Sequence, residues 1–440
     1  MRENKETLAI LGGEPTRKEP FPPYPIIGEE EIAAVNEVLK SGHLSSFAAS
    51  AGSGFLGGKK VREFEEKFAE YHGIGYAIAV NSATAGLHIS LAAAGVGPGD
   101  EVIVPPYTFT STATSVLMHN AVPVFVDVDP RTYCLDPAKV EGAITPFTKA
   151  IIPVHLLGHP AEMNPIMRIA KEHDLTIIED CAQSPGAKYK GKLVGTIGDL
   201  AVFSFQETKN MMTGEGGMVI TNDLLLAERC RMVRNHGEAV IEGKSRSYLS
   251  NIIGWNYRMT EIEAAIGMEQ LKKLDGFNEI RIRNSKFLSR KLSKVKGVGM
   301  PYEAPDISHV YHVYGMTYDE REVDISRGTF VNALNAEGIP FGTGYPHPLY
   351  ENPLFNERIA YGDKGCPFTC KFYKGGANYE SGICPVAEDL CYSRALWLFS
   401  IRPPATLEDM RDVVEAFMKI IENIEQLQEL NEKQSRGRII

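Results

Sequence analysis

Between Tyr76 and Glu179 short apolar runs alternate with longer amphipathic ones, and this alternation limits the fold more than any other feature of the chain. Strands are expected at residues 76–80, 102–105, 123–128, 150–154 and 175–179, with helices beginning near Thr84, Ser111, Asp136 and Asn164. Continuous apolar runs suit strands buried on both faces, and the intervening helices would cover those faces. The expectation is an α/β fold on a mostly parallel sheet. Two more runs, 200–205 and 218–221, bring that sheet to seven strands.

At 440 residues the chain exceeds what one apolar core supports, so two domains are expected. Residues 1–27 include Pro20-Phe-Pro-Pro-Tyr-Pro25, too proline-rich for regular structure, and read as an extended arm. A large domain is expected over 28–276, with further helices at 29–40, 61–71, 224–235 and 260–274. After Phe277 the texture changes to helix 279–295, strand 312–318 and helix 326–336, a smaller α+β domain spanning 277–440. Its tail, 406–430, carries Met410, Val413, Phe417, Ile420, Ile424 and Leu427 on one helical stripe, expected to pack on the small domain. The last residues, 432–438, read as polar and frayed. A net charge of -10 argues against a nucleic-acid surface. No apolar run matches a signal peptide or a membrane span. Seven cysteines, an odd number, read as reduced thiols. These features suit a cytoplasmic enzyme with no nucleic-acid or membrane partner.

The chemistry gathers at two strand ends. Lys209 lies in the connection between runs 200–205 and 218–220, beside Gly214, Gly216 and Gly217. A lysine at such a tight connection is partly desolvated, which lowers its pKa and yields an amine able to attack an aldehyde. The alternative is an ordinary surface lysine beside a hairpin. Run 175–179 ends in Asp180, where an open α/β sheet places its ligands. Pyridoxal phosphate needs a lysine for its Schiff base and a carboxylate for its ring nitrogen, and this pair supplies both.

The words Glu179-Asp-Cys-Ala-Gln183, Phe203-Ser-Phe205, Thr208-Lys-Asn210, Thr213-Gly-Glu-Gly-Gly217 and Gly254-Trp-Asn-Tyr-Arg258 resemble, in order and spacing, the DegT/DnrJ/EryC1/StrS sugar aminotransferases. The resemblance implies a fold-type I pyridoxal phosphate enzyme. It assigns Lys209 to the Schiff base and proton shuttle, and Asp180 to the pyridinium. Ala83 and Thr84, with Ser204, would bind phosphate; the family more often has glycine at Ala83. Tyr107 would stack on one face of the ring, Ala182 would lie against the other, and Gln183 would donate to the ring hydroxyl. Asn256 would reach the phosphate of a partner subunit, which makes a homodimer part of the site.

The expected reaction is transfer of an amino group from glutamate or glutamine to a nucleotide-linked keto-sugar or a keto-cyclitol. Related dehydratases carry histidine at the lysine position, so Lys209 favours transamination. A dehydratase or aminohydroxybenzoate-type synthase on the same scaffold, and a non-catalytic pyridoxal phosphate regulator, are the alternatives. Lys209 with Asp180 argues against the regulator, which needs no proton shuttle. The loop 41–58 is glycine-rich but lacks the Gly-Lys-Ser/Thr ending of a P-loop. Cys366, Cys370, Cys384 and Cys391 lack paired Cys-x-x-Cys spacing and read as free thiols in a substrate-facing insertion, not a zinc site. His347 reads equally as a substrate contact or a buried, hydrogen-bonded histidine, and Arg234-Asn-His-Gly237 is left without a role.

Overall fold

The computed structural model describes residues 6–48, 53–238 and 250–429; the tail at 432–438 and part of the 41–58 loop fall outside them. Helix α1 (Glu29–Ser41) opens with Glu31 accepting from the Gly28 N–H at 2.8 Å and stops at Gly42, which is left-handed. Helix α2 (Lys59–His72) leads into strand β1 (Tyr76–Val80) and helix α3 (Ala83–Ala93). Then follow β2 (Glu101–Val104), α4 (Ser111–Leu117), β3 (Val122–Phe125), β4 (Thr148–Ile151), α5 (Met163–Glu172) and β5 (Thr176–Asp180). Strands β6 (Leu200–Ser204) and β7 (Gly217–Thr221) complete a seven-stranded sheet of order β1-β7-β6-β5-β4-β2-β3. Only β7 runs against its neighbours, pairing antiparallel with both β1 and β6.

This direction pattern positions the site. Five strands whose ends matter, β1, β2, β4, β5 and β6, deliver their carboxyl ends to one edge, and antiparallel β7 brings its amino end there. Register sets Gly217 between Val80 and Ser204. Along β6 and just beyond it, Phe203 and Phe205 pack on Phe68 and Phe64 of α2, with ring centres 5.1 and 5.3 Å apart. Side chains alternate faces in a strand, so Ser204 points the other way. Burying such a ring contributes about 1.5–3 kcal/mol, enough to hold the strand that leads into Lys209.

After α6 (Leu224–Arg234), one helix, α7 (Glu261–Leu292), runs unbroken where the sequence suggests two. Asp275-Gly-Phe277 reads as a break, yet nothing lies within 4 Å of a Cβ placed on Gly276. Glycine inside a helix costs only about 1 kcal/mol against alanine and does not end it without proline. The first half of α7 buries Leu271 and Leu274 in the core around the large sheet. Its second half buries Leu288 and Leu292 in another core. That second core lies on an antiparallel sheet of β8 (Val298–Gly299), β9 (Tyr314–Tyr318), β10 (Phe341–Gly342) and β11 (Ala395–Leu398), in the order β8-β9-β11-β10. Helices α8 (Arg327–Ala336) and α9 (Leu407–Glu422) complete it, and the α9 stripe of Met410, Val413, Phe417 and Ile420 is buried there.

The insertion with the four cysteines corrects an expectation. None of its cysteines lines the cavity at the strand edge, and Phe355 and Tyr379 pack edge-on against Phe125 of β3, at 5.3 and 5.7 Å. Cys384 and Cys391 are buried in the first core, and Cys366 and Cys370 are half-buried. Aromatic area is worth more against the sheet than exposed in a loop, so the segment folds back onto the large domain's core.

Candidate active site

A cavity of about 510 Å³ opens at the shared strand edge, lined among others by Ala83, Thr84, Asp180, Ala182, Gln183, Ser204 and Lys209. Seven of the nine residues singled out from sequence therefore meet in one place. Lys209 sits in a turn in which its N–H donates to the Gln206 carbonyl at 2.9 Å and the Gln206 side chain caps Thr208. Burial lowers its ammonium to about 8, an effect partly opposed by the charge of Asp180. Asp180 is buried at the end of β5; its Oδ1 accepts from the Ala182 N–H at 3.1 Å and its Oδ2 from the Thr112 hydroxyl at 2.9 Å. Burial raises that carboxyl, against those hydrogen bonds and the Lys209 charge.

Beneath Asp180, a buried pair fixes the turn. His155 Nδ1 accepts from the Ala161 N–H at 2.9 Å, so Nε2 carries the hydrogen and donates to Glu179 at 2.9 Å. Glu179 also accepts from the N–H groups of Gly195, Ile197 and Gly198. Burial pushes the Glu179 carboxyl up, but the His155 and main-chain hydrogen bonds outweigh it and its pKa falls. His155, Glu179 and Cys181 place their ligand-type atoms within 4.8 Å of one another. Both histidine nitrogens are engaged there, which makes the trio a scaffold for Asp180.

At the other end of the cavity, α3 begins. Ser82 Oγ accepts from the Ala85 N–H at 3.1 Å and the Ser82 carbonyl from Gly86, while the N–H groups of Ala83 and Thr84 have no partner among the described residues. Two free donors at a helix N-terminus suit a phosphate dianion, and the Thr84 and Ser204 side chains line the same corner. Alanine in place of glycine at residue 83 is tolerated because it is the first residue of an ordinary helix. Glycine is required opposite it instead: a Cβ on Gly217 would stand 2.7 Å from the Ala83 nitrogen. A Cβ on Gly86 would stand 2.6 Å from Val202 Cγ1, so helix and sheet touch only because both glycines lack one.

Gln183 Oε1 accepts from the Leu157 N–H at 2.7 Å, which turns its Nε2 donor toward Tyr345 and the cavity. Tyr107 departs from its expected place. It is wholly buried among Tyr133, Tyr345 and Trp397 and does not line the cavity, whereas Phe109, two residues on, is 61% exposed and does. The bend after β2, Pro106 to Thr108, directs residue 107 into the core and leaves Phe109 as the aromatic on the cavity wall. Asn256 is exposed and outside the cavity of its own chain.

Sequence reasoning missed the wall supplied by His312, Val313, Tyr345, Trp397 and Phe399, which lie in or beside the strands of the small sheet. His312 is defined closely. Asn210 Nδ2 donates to Asn278 Oδ1 and the Val310 carbonyl, so Asn210 Oδ1 accepts from His312 Nδ1 at 3.2 Å. Burial and the charges of Lys209, Arg281 and Arg402 hold the imidazole well below its ordinary pKa, leaving Nε2 as an acceptor. The run His309-Val-Tyr-His312 ahead of β9 was the available clue. His347 meets Asn352 within its own loop at 3.0 Å and is outside the cavity. Arg234 is structural: fully buried, it pairs with Glu65 at 2.5 Å and the Ala79 carbonyl at 2.9 Å.

Fold and cavity together define an α/β enzyme whose cavity sets a desolvated lysine against a buried acid. Residues 25–379 match the DegT/DnrJ/EryC1/StrS aminotransferase family, and the chain belongs to it. It is a transaminase whose cofactor is pyridoxal phosphate. It is 36% identical to the L-glutamine:2-deoxy-scyllo-inosose aminotransferase of Streptomyces kanamyceticus over 94% of this chain and 97% of the relative. It is 44% identical to the GDP-perosamine synthase of Caulobacter vibrioides over 68% and 79%. Among solved structures, S. venezuelae DesV superposes with a TM-score of 0.76 at 33% identity, covering 90% of this chain and 95% of that one.

Proposed function

We propose that the chain transfers an amino group from glutamate or glutamine to the ketone of a sugar or cyclitol. The observation that carries this reading is the desolvated Lys209 amine facing buried Asp180 in one cavity, with the free N–H groups of Ala83 and Thr84 at its far end. Bound pyridoxal phosphate supplies an aldehyde that takes up the amino group and an electron-poor ring that stabilises negative charge at the reacting carbon. The residues divide the remaining work. Ala83, Thr84 and Ser204 bind the phosphate, Asp180 accepts the hydrogen of the ring nitrogen, and Gln183 donates to the ring hydroxyl. Phe109 and Ala182, both on the cavity wall, would flank the ring. Lys209 Nζ would remove the proton from the donor's Cα, and burial, which lowers its ammonium, favours the neutral amine that this task needs.

The acceptor's side of the cavity is aromatic, with Tyr345, Trp397 and Phe399, and His312 offers an acceptor for a hydroxyl. That wall fits the carbon face and hydroxyls of a six-membered polyol ring. Relatives acting on inososes and on a GDP-linked sugar support the same class. We further infer a homodimer in which Asn256 completes the partner's phosphate site. Purified protein loaded with pyridoxal phosphate is expected to lose its visible band on addition of glutamine or glutamate and regain it with a keto-cyclitol or keto-sugar. Recovery of the band with release of ammonia and a deoxygenated keto-sugar, in place of an amino-sugar, would refute transamination in favour of elimination.

A further inference from the structure

The N-terminal arm passes from the second core to the first and touches the peptide carrying Lys209 on the way. Its beginning is moored to the second core, where Leu8 is wholly buried. The Ala9 N–H and the N–H and hydroxyl of Thr16 all donate to the Glu337 carboxylate, at 2.8, 2.9 and 2.9 Å. Lys419 joins that carboxylate at 2.9 Å, and Arg17 bridges Asp409 at 2.8 Å and Asp412 at 2.6 Å. Its end is moored to α7, whose Gln270 donates to the Ile26 carbonyl at 3.0 Å. Between these points Tyr24 donates its hydroxyl to the main-chain carbonyl of Lys209.

The tyrosine is held for that contact. Arg402 stacks over its ring with the guanidinium carbon 4.3 Å from the centre, and Arg281 stands at 5.6 Å on the same ring. Arg281 is fully buried; Nη1 donates to the Tyr311 and His312 carbonyls, and its side chain also meets the Tyr24 hydroxyl. A desolvated guanidinium gains most from an aromatic face, so the two arginines stabilise the ring where it lies. The flanking prolines fix φ along 20–25 and deliver the ring at little entropic cost.

The contact matters because of what else holds the peptide. The Lys209 N–H is tied into its turn, and the next residue, Asn210, is locked by Asn278, Val310 and His312. The Lys209 carbonyl has Tyr24 as its partner among the described residues. Without it the peptide plane is free to rock, and the lysine's Cα–Cβ bond swings with it. Reacting groups have to be held within about 0.5 Å to work at full rate.

We propose that Tyr24 is a positioning residue for Lys209, and that the arm is the strap that ties the reactive lysine's peptide to the second core. This rests on the reading of Lys209 as the reacting amine. The test is Tyr24→Phe in the full-length protein, which keeps the ring between its arginines and removes only the hydroxyl. With pyridoxal phosphate bound, kcat is expected to fall about tenfold or more, while KM for donor and acceptor stays within about threefold and the melting temperature within about 2 °C. In cofactor-free protein, competitive acetylation read by mass spectrometry is expected to give a Lys209 pH midpoint displaced by roughly half a unit or more, since burial of the amine and, against it, the distance to Asp180 set it. An unchanged kcat and midpoint would overturn the proposal, as would a loss of kcat matched by a loss of folding stability. Borohydride trapping of the wild-type holoprotein separates the two layers. Cofactor fixed to a lysine other than Lys209 overturns both readings, whereas cofactor on Lys209 with an unaltered Tyr24→Phe variant overturns only this one.

Discussion

Lys209 works at the expense of the fold that holds it. Its ammonium is lowered from 10.5 to about 8 by burial, so below pH 8 the folded cofactor-free chain carries the full cost of a desolvated charge, roughly 3 kcal/mol. Between pH 8 and 10.5 the unfolded chain binds the extra proton, so stability rises with pH and the cost disappears. Cofactor-free Lys209→Met is therefore expected to be more stable than wild type at pH 7 in urea melts, by an amount that shrinks toward pH 10.5. A variant less stable at pH 7 would contradict the burial argument. Asp180→Asn keeps the side-chain shape but cannot carry the anion proposed to pair with the ring nitrogen. It should lower kcat by about 10²-fold or more with the fold unchanged. At this scale the sequence was readable where chemistry dictates residue type, as for Lys209 and Asp180. It misled where one turn decides which of two aromatics faces in, as for Tyr107 and Phe109. Trp397 and Phe399 carry no such mark, because only the packing of the small sheet beside the large one brings them to the cavity.

At the scale of elements, the site depends on how closely α3 can approach β6 and β7. Gly86→Ala would set a methyl 2.6 Å from Val202, a stiff β-branched side chain inside the sheet. The helix would have to retreat by a few tenths of an ångström or more, and its two free N–H groups with it. Weaker pyridoxal phosphate binding in a folded protein, measured by equilibrium titration, is the expected result; unchanged affinity would show that α3 tolerates the shift. Glu179→Ala removes the acceptor for three main-chain N–H groups and for His155, and should cost about 3 kcal/mol in denaturant unfolding. The strands of the large sheet were legible because buried runs are apolar throughout. The continuity of α7 was not, since Gly276 resembles a stop until its surroundings are known to be open.

At the scale of the molecule, an arm, two cores and one long helix share a single catalytic edge. Asn256 stands outside the cavity of its own chain, and the proposed dimer gives it a purpose in the neighbour's. Co-expressed Lys209→Ala and Asn256→Ala chains are then expected to form mixed dimers with one fully equipped site, recovering activity and cofactor affinity that neither variant has alone. No recovery in dimers verified by mass would argue that each chain holds its cofactor unaided. The central claim, that Lys209 is the amine which meets the cofactor opposite Asp180, has a direct test that needs no substrate. Borohydride reduction of the holoprotein, followed by digestion and mass spectrometry, should place the phosphopyridoxyl group on the peptide containing Lys209. A holoprotein that carries it on a different lysine, or on none, would contradict the account.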